Sequence, residues 1–289
     1  MSVDFLTQMA RSSRERTERA RALCPEAILR QQAAASAPAP SLRLSQSGFD
    51  LIAELKLRSP ALGTLSDAAE RGDADEIIGA RVRAYAAGGA AMVSVLTEPT
   101  RFAGALSHLE QASAALTGRI PVLRKDFLVD RYQVYEARAA GAGGVLLILR
   151  MLEGDALEPL LESCIELRMC ALLEAFDEAD LARATALVER YRRDATLLVG
   201  VNSRDLGTLR VSVERLGALA ARLPTGVPRV AESGIESGAD AARCVRAGYD
   251  VALVGGALMK STAPEQLVGA LLAAGRAAAA ESGAPSVCR

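Results

Sequence analysis

The sequence has very few of the residues from which many catalytic sites are built. Its 289 residues include one histidine, His108, and no tryptophan. With a single histidine, a Ser-His-Asp triad, a histidine-rich zinc site and a histidine general base are all disfavoured. If the chain is an enzyme, its proton transfers are therefore expected to come from Glu, Asp, Lys or Cys. We expect His108 itself to be a surface or packing residue.

The chain also lacks the features of nucleic-acid-binding proteins. Basic residues number 34 and acidic residues 35, so the formal net charge is −1 and there is no basic excess. Aromatic residues make up only 3% of the chain, which leaves little for stacking on single-stranded bases. We therefore expect a small-molecule substrate and no nucleic-acid partner.

Long apolar segments and paired cysteines are missing as well. No run of 18 apolar residues occurs, and the N-terminus lacks the apolar core of a secretory signal, so we expect neither membrane insertion nor secretion. The five cysteines are odd in number and form no CxxC pair. Reduced thiols and a cytoplasmic location are the simplest interpretation.

Three regions follow one another along the chain. Residues 1–41 are predicted to form an N-terminal extension, with a charged helix over 3–32 and an Ala-, Ser- and Pro-rich linker over 33–41. Residues 42–272 have the pattern of one catalytic domain. The Ala-rich tail, 273–289, is expected to fray.

Eight short apolar runs alternate with Ala-rich helical stretches in the catalytic domain. Continuous runs are typical of parallel strands that are covered on both faces. The runs are 50–55, 90–96, 120–125, 144–149, 169–175, 196–201, 228–233 and 250–255. Eight such units predict an α/β fold, the (β/α)8 TIM barrel, with an extra N-terminal helix. A doubly wound open sheet is the rival, but it gives no reason for the eightfold count.

The first strand is predicted to end in an interior ion pair. In a barrel of this type the active site lies at the carboxyl ends of the strands. The two-residue period of a strand puts Glu54 and Lys56 on one face, toward the barrel interior if Leu55 faces the helices. Taken alone, this pair could equally be structural.

Other predicted strands also end in charged or polar residues. The third run ends in Lys125, the fifth in Glu174, the sixth is followed by Asn202 and Arg204, and the seventh contains Glu232. Acids are rarely buried without a cation, so Glu174 is expected to lie near a lysine. Opposite charges held together in this way suit a protonated Lys acid beside an ionised Glu base.

Glycines mark a candidate phosphate site. Ser233 and Gly234 open the loop after the seventh strand, and Gly255 and Gly256 open the loop after the eighth. Glycine lets backbone N–H groups approach an anion, and these two loops are the recurrent phosphate site of the fold. A small phosphorylated substrate is therefore expected.

Several ordered motifs resemble the indole-3-glycerol phosphate synthase family. They are IAELKLRSP at 52–60, SVLTEPTRFAGALSHL at 94–109, PVLRKDFLVDRYQVYEARAAGAGGVLLI at 121–148, VGVNSRDL at 199–206, VAESGI at 230–235 and ALVGGALMKS at 252–261. The resemblance covers most of 49–270. It implies a carboxy-lyase of tryptophan biosynthesis that converts 1-(o-carboxyphenylamino)-1-deoxyribulose 5-phosphate into indole-3-glycerol phosphate, CO₂ and water. No metal or organic cofactor is implied.

The resemblance also implies roles for the strand-end residues. Lys125 corresponds to the general acid that protonates the substrate carbonyl, and Glu174 to the general base of the later dehydration. Lys56 corresponds to the lysine that contacts the substrate carboxylate, with Glu54 as its partner. Asn202 and Glu232 would hold the anilino end as further catalytic-site residues, with Arg204 as a second-line cation. The other implied substrate-binding residues are Arg58, Ser59, Pro60, Phe102, Phe127, Leu146, Leu206, Ser233, Gly234, Gly255 and Gly256.

Three stretches depart from the family pattern. Phe176 stands where a polar residue is usual, 186–197 is longer than the usual link, and Gly143 with Gly144 replaces an Asp-containing turn. None of them touches the implied acid, base or phosphate groups. They leave open a paralogue that serves a secondary-metabolite pathway.

Other functions remain open at this stage. A Schiff-base aldolase would use Lys125 as a nucleophile of depressed pKa, which the surrounding acids argue against. A phosphoribosylanthranilate isomerase shares the fold and the phosphate site but not the motifs around Lys56 and Lys125. A catalytically silent scaffold barrel would be expected to have lost a charged strand-end residue. We expect a monomer or a weak dimer.

Overall fold

The computed structural model describes residues 5–59, 63–64, 74–152, 154–204 and 210–282. Eight parallel strands close into a barrel in which each strand pairs with the next along the chain and β8 pairs with β1. The strands are β1 (Asp50–Leu55), β2 (Met92–Leu96), β3 (Val122–Lys125), β4 (Gly144–Ile148), β5 (Cys170–Ala175), β6 (Thr196–Asn202), β7 (Arg229–Glu232) and β8 (Val251–Val254). Each lies within one of the eight predicted runs or one residue beyond it, so the predicted (β/α)8 barrel is confirmed.

Helices cover the outside of the barrel and precede it. They are α1 (Phe5–Leu23), α2 (Glu26–Ala35), α3 (Ala74–Ala87), α4 (Pro99–Phe102), α5 (Leu106–Leu116), α6 (Tyr132–Ala139), α7 (Leu157–Glu166), α8 (Glu178–Tyr191), α9 (Val213–Ala220), α10 (Gly238–Arg246), α11 (Gly256–Lys260) and α12 (Pro264–Ser282). Short 3₁₀ turns lie at Leu149–Met151 and Gly154–Ala156, and a two-residue antiparallel pair joins Arg58–Ser59 to Gly63–Thr64.

The strands alternate between two apolar clusters, as the strand period requires. On β1, Leu51, Ala53 and Leu55 belong to the outer cluster packed under the helices, whereas Ile52 belongs to the cluster inside the barrel. Leu55 therefore faces the helices, and Glu54 faces the interior as predicted. This alternation is what brings every second strand-end side chain toward the mouth.

The N-terminal extension contains two helices, so the prediction of one continuous helix over 3–32 was wrong. The α1 helix ends at Leu23 and α2 begins at Glu26, with Pro25 at its N-cap. Proline disfavours helical backbone at the residue before it, which breaks the helix at Cys24. The predicted linker was also too long, because α2 continues to Ala35.

The C-terminal helix α12 corrects the prediction of a frayed tail from residue 273. It runs to Ser282, and residues 283–289 lie outside the described part. A Cβ at Gly275 would stand 2.1 Å from Cδ1 of Phe49, so the helix packs directly on the bottom of the barrel. Arg276 donates to the carbonyl of Phe49 and to Asp50. Within the described ranges, we find no helix with the length and apolar character needed to cross a membrane.

Candidate active site

A cavity of about 480 Å³ opens at the carboxyl ends of the strands. Its lining includes all the predicted site residues that the structure describes, except Arg58. Those lining residues are Glu54, Lys56, Ser59, Phe102, Lys125, Phe127, Leu146, Glu174, Asn202, Arg204, Glu232, Ser233, Gly234, Gly255 and Gly256. Pro60 and Leu206 lie outside the described residues. The convergence expected from the strand ends is therefore present in three dimensions.

The end of β1 carries a tight ion pair. Lys56 Nζ donates to Glu54 Oε1 at 2.5 Å, and both side chains are largely buried. Burial alone would raise the pKa of Glu54, but the charges of Lys56 and then Lys125 lower it below its usual value. A Cβ at Gly255 would stand 2.2 Å from Glu54 Oε1, so a glycine at the end of β8 leaves room for this pair. Glu54 is therefore held as a carboxylate.

Lys125 at the end of β3 lies between two carboxyl groups. Its Nζ is 3.5 Å from Glu174 Oε1 and 3.7 Å from Glu232 Oε2. Burial would lower the pKa of Lys125, yet the acids around it, Glu174 first, raise the pKa above its ordinary value. Lys125 is therefore held as an ammonium group, the protonated state from which a general acid must start. This state does not suit a Schiff-base nucleophile, which must be unprotonated.

Glu174 on β5 is oriented by its neighbour on β6. Asn202 Nδ2 donates to Glu174 Oε1 at 2.9 Å, while the Oδ1 of the same amide accepts from the backbone N–H of Arg204. That backbone contact fixes which side of the Asn202 amide faces Glu174. One oxygen of Glu174 is thus fixed beside Lys125, as a general base requires.

Glu232 on β7 has a different environment. Its side chain is 1% exposed, and neither carboxyl oxygen accepts a hydrogen bond from any described residue. Burial, and then the carboxylate of Glu174, raise the pKa of Glu232 well above its usual value. A Cβ at Gly200 on β6 would stand 2.2 Å from Glu232 Oε1, so this carboxyl lies directly against bare backbone.

The loops after β7 and β8 line the cavity with glycine-rich backbone. Ser233 and Gly234 both have positive φ, 70° and 76°, a conformation that costs energy for serine. The N-terminus of the following helix α10 is already occupied by its own capping box between Ser237 and Asp240. The backbone of 233–234 and 255–256 is therefore the part of these loops that can approach an anion.

Phenylalanines form an apolar side of the cavity. Four of the five phenylalanines in the chain line it, namely Phe5, Phe102, Phe127 and Phe176. Phe127 contacts Phe5 edge-on at a centroid distance of 5.8 Å and lies 6.2 Å from Phe102. The guanidinium of Arg150 lies over the ring of Phe176 at 4.6 Å. An aromatic or otherwise flat apolar group fits this side.

Sequence reasoning missed part of the site. Phe5 comes from α1, and nothing in the local pattern of the extension indicates that it reaches the mouth. Phe176 departs from the family pattern, and that departure alone does not indicate that it lines the cavity. Arg58, which the resemblance implies is a substrate-binding residue, donates to the carbonyls of Thr100 and Arg101 instead and is not part of the lining.

The number of lysines is a further signal in the sequence that points to the site. The chain contains only three, Lys56, Lys125 and Lys260, among 34 basic residues. Two of the three line the cavity. Arginine cannot release its proton in proteins, whereas lysine can. A chain that uses arginine almost everywhere else therefore keeps lysine where a proton can be transferred.

Comparison with known proteins by sequence gives the same family for the family model and for the relatives. The family model described as indole-3-glycerol phosphate synthase matches residues 6–271. Among relatives with that name, the protein of Nocardioides sp. is 46% identical over 234 residues, which is 80% of this chain and 82% of that protein. The relative from Leifsonia xyli subsp. xyli is 41% identical over 269 residues, 90% of this chain and 95% of that protein.

Solved structures with low sequence identity share the fold. A 3-hexulose-6-phosphate synthase superimposes with a TM-score of 0.58 at 17% identity, covering 78% of this chain and 99% of that one. The thiamine phosphate pyrophosphorylase from Pyrococcus furiosus gives a TM-score of 0.55 at 16% identity, covering 81% of this chain and 98% of that one. At these identities the likeness concerns the barrel alone.

Proposed function

The chain belongs to the indole-3-glycerol phosphate synthase family, and from that premise we propose how its cavity carries out the family's reaction. The reaction is the decarboxylating, dehydrating ring closure of 1-(o-carboxyphenylamino)-1-deoxyribulose 5-phosphate to indole-3-glycerol phosphate, in tryptophan biosynthesis. Relatives of this name match most of the chain, so a separate secondary-metabolite paralogue is not needed to account for the sequence.

Ring closure is assigned to Lys125 as general acid. The position of its ammonium group between Glu174 and Glu232 is the single observation that carries the proposal. Protonation of the substrate carbonyl oxygen makes its carbon electrophilic, so the ring carbon that bears the carboxylate can attack it. Loss of CO₂ then restores the aromatic ring. The two acids keep Lys125 protonated, so the proton for this transfer is in place when the substrate binds.

Dehydration is assigned to Glu174 as general base. Its oxygen lies beside Lys125 and is oriented by Asn202, so it can remove a proton from the cyclised intermediate while a cavity lysine donates a proton to the hydroxyl group, which leaves as water. Lys56, paired with Glu54, is the second lysine of the cavity and is proposed to contact the substrate carboxylate and assist proton transfer. These steps need only proton transfer, so no cofactor is part of the proposal.

Substrate placement follows from the two remaining parts of the lining. The phosphate is proposed to bind the backbone of 233–234 and 255–256 near Ser59, where glycines allow close approach. The aryl ring is proposed to lie against Phe102, Phe127 and Leu146. Arg204 adds a cation to the lining, and Asn202 with Glu232 would face the anilino end.

Two other properties belong to the proposal. We place the enzyme in the cytoplasm, which is supported by cysteines that are free in the described part of the chain. We propose a monomer or a weak dimer, because few large apolar side chains are exposed among the described residues, namely Leu23, Ile28 and Val211.

The deciding experiment is a direct assay for the indole product. Purified protein is supplied with the carboxyphenylamino deoxyribulose phosphate, and indole fluorescence and CO₂ release are followed together. We expect both to appear at equal rates without added metal or cofactor. A silent barrel would give neither signal, and a Schiff-base aldolase would be inactivated by borohydride in the presence of a phosphosugar. Either result would overturn the proposal.

A further inference from the structure

The buried carboxyl groups of the cavity are not equally supplied with cations. Glu54 has Lys56 at 2.5 Å, and Asp126 has Arg16 at 2.8 Å and Arg124 at 3.3 Å. Glu174 and Glu232 share Lys125, and Glu232 has the longer distance to it. One buried carboxyl group therefore lacks a cation of its own, and a buried charge without a partner is expensive.

Glu232 is the carboxyl group that lacks support. Asn202 donates to Glu174, whereas both oxygens of Glu232 are shielded from solvent and receive no hydrogen bond from a described residue. The backbone at Gly200 lies so close to Glu232 Oε1 that even a methyl group would not fit. Water or a new donor therefore has little space on that side of the carboxyl group.

The groups that face Glu232 come from four strands. Glu174 on β5 and Glu54 on β1 contribute negative charge, Lys125 on β3 contributes the positive charge, and β6 contributes the bare backbone of Gly200. Two carboxylates that share one buried site disfavour each other's charge, so ionising both of them costs free energy. Glu174 is also within side-chain hydrogen-bonding reach of Glu232, and two carboxyl groups can form that bond only when one of them carries a proton.

We propose that Glu174 and Glu232 hold one proton between them in the empty enzyme, with Glu232 as the neutral carboxylic acid and Glu174 as the carboxylate. Glu232 is chosen because Glu174 already has the hydrogen bond from Asn202 and the shorter distance to Lys125. The pair then consists of one hydrogen-bond donor and one base.

The consequence for function rests on the proposed activity. The substrate of that activity carries a carboxylate and a phosphate, and a doubly ionised pair would repel both. One bound proton removes one of the two negative charges and leaves Glu232 able to donate a hydrogen bond, while the carboxylate of Glu174 can still accept a proton. The shared proton thus lets one site bind an anion and still contain a base.

Infrared difference spectroscopy tests the proposal without any turnover. The folded wild type at neutral pH is expected to show the C=O stretch of a protonated buried carboxyl group, which shifts in D₂O. Glu232→Gln should abolish this band, and the matched variant Glu54→Gln should leave it in place because Glu54 is ionised. A wild type without the band, or a band that persists in Glu232→Gln, would overturn the proposal.

A second variant and a second measurement keep the proposal testable if Glu232→Gln does not fold. In Glu174→Gln the competing negative charge of Glu174 is removed, so Glu232 should ionise beside Lys125 and the band should again disappear. Persistence of the band would count against the shared proton.

The pH dependence of stability gives an independent measurement. A carboxyl group with a raised pKa in the folded state stabilises at low pH and loses that contribution as pH rises through the folded-state value.

The melting temperature of Glu232→Gln, relative to wild type, should therefore increase from about pH 5 to about pH 8 by at least ~2 °C. A flat difference over this range would contradict the proposal. The proposed function and the shared proton can fail independently of each other. The proposed function depends on the formation of indole, whereas the shared proton depends on the infrared band. An enzyme that makes indole without the band refutes only the shared proton, and a band without indole refutes only the activity.

Discussion

Arg16 of α1 donates two hydrogen bonds to Asp126, from Nη1 to Oδ2 at 3.0 Å and from Nη2 to Oδ1 at 2.8 Å. Asp126 follows Lys125 directly and also accepts from Thr97 Oγ1 and from the backbone N–H of Phe127. A helix that precedes the barrel thus fixes the turn that carries both the proposed general acid and part of the aromatic side of the cavity.

Replacing Arg16 by methionine should therefore reduce both stability and turnover. The carboxyl group of Asp126 is fully buried, and removing one partner of a buried ion pair typically costs about 3–5 kcal/mol. Thermal unfolding and steady-state kinetics measure the two effects, and we expect a lower melting temperature and a lower kcat. Arg30→Met is the matched control, since Arg30 pairs with Glu166 on the exposed surface, where a pair is worth ~0–1 kcal/mol. Equal losses in the two variants would show that Asp126 needs no support from α1.

The Asp126 carboxylate should make stability fall in acid. Burial would raise its pKa, but hydrogen bonding and attraction to Arg16, together with the charge of Arg124, lower the pKa to about 2. A depressed pKa adds stability above the unfolded-state value near 4 and loses it as pH falls toward the folded-state value. The stability difference between wild type and Asp126→Asn should therefore shrink between about pH 4 and about pH 2. A difference that stays constant across this window in urea unfolding would refute the assignment.

The acid and base assignments predict folded but inactive variants. Lys125→Ala and Glu174→Gln should each lose ~10²- to 10⁴-fold in kcat, which is the usual contribution of one general acid–base group. Lys260→Ala provides the control, because Lys260 is the one lysine of the chain outside the cavity lining and is exposed. Circular dichroism establishes that each variant is folded. Near-normal kcat in either site variant would refute its role.

The sequence predicted the barrel and its charged mouth because both are local patterns. The apolar runs identify the strands, and the two-residue period places Glu54 inward once Leu55 is assigned to the helices. The contributions of Phe5 and Arg16 could not be predicted, because each depends on where α1 docks more than 100 residues away in sequence. The C-terminal helix continues beyond residue 272 because it packs against Phe49 at Gly275, a contact that the Ala-rich composition does not show.

Gly200 provides the sharpest test of how the strands shape the site. Its missing side chain leaves the space in which the Glu232 carboxyl lies, since a Cβ would stand 2.2 Å from Oε1. Gly200→Ala should therefore displace Glu232 and lower kcat, on the order of 10² for a misplacement of about 1 Å. Gly217→Ala is the control, because Gly217 has no side-chain or backbone neighbour within 4 Å of the new Cβ and lies in α9. Alanine there should leave kcat unchanged and stabilise the helix by ~0.5–1 kcal/mol.

A double-mutant cycle separates displacement of Glu232 from general damage to β6. If Gly200 acts by making room for that carboxyl group, shortening the side chain should partly relieve the clash. Gly200→Ala should then cost less in kcat when combined with Glu232→Asp than in the wild-type background, a coupling that independent effects would not produce. Strictly additive losses would mean that the new methyl group acts on the strand itself, for example against Leu172 Cδ1 at 3.2 Å, and that Glu232 needs no such space.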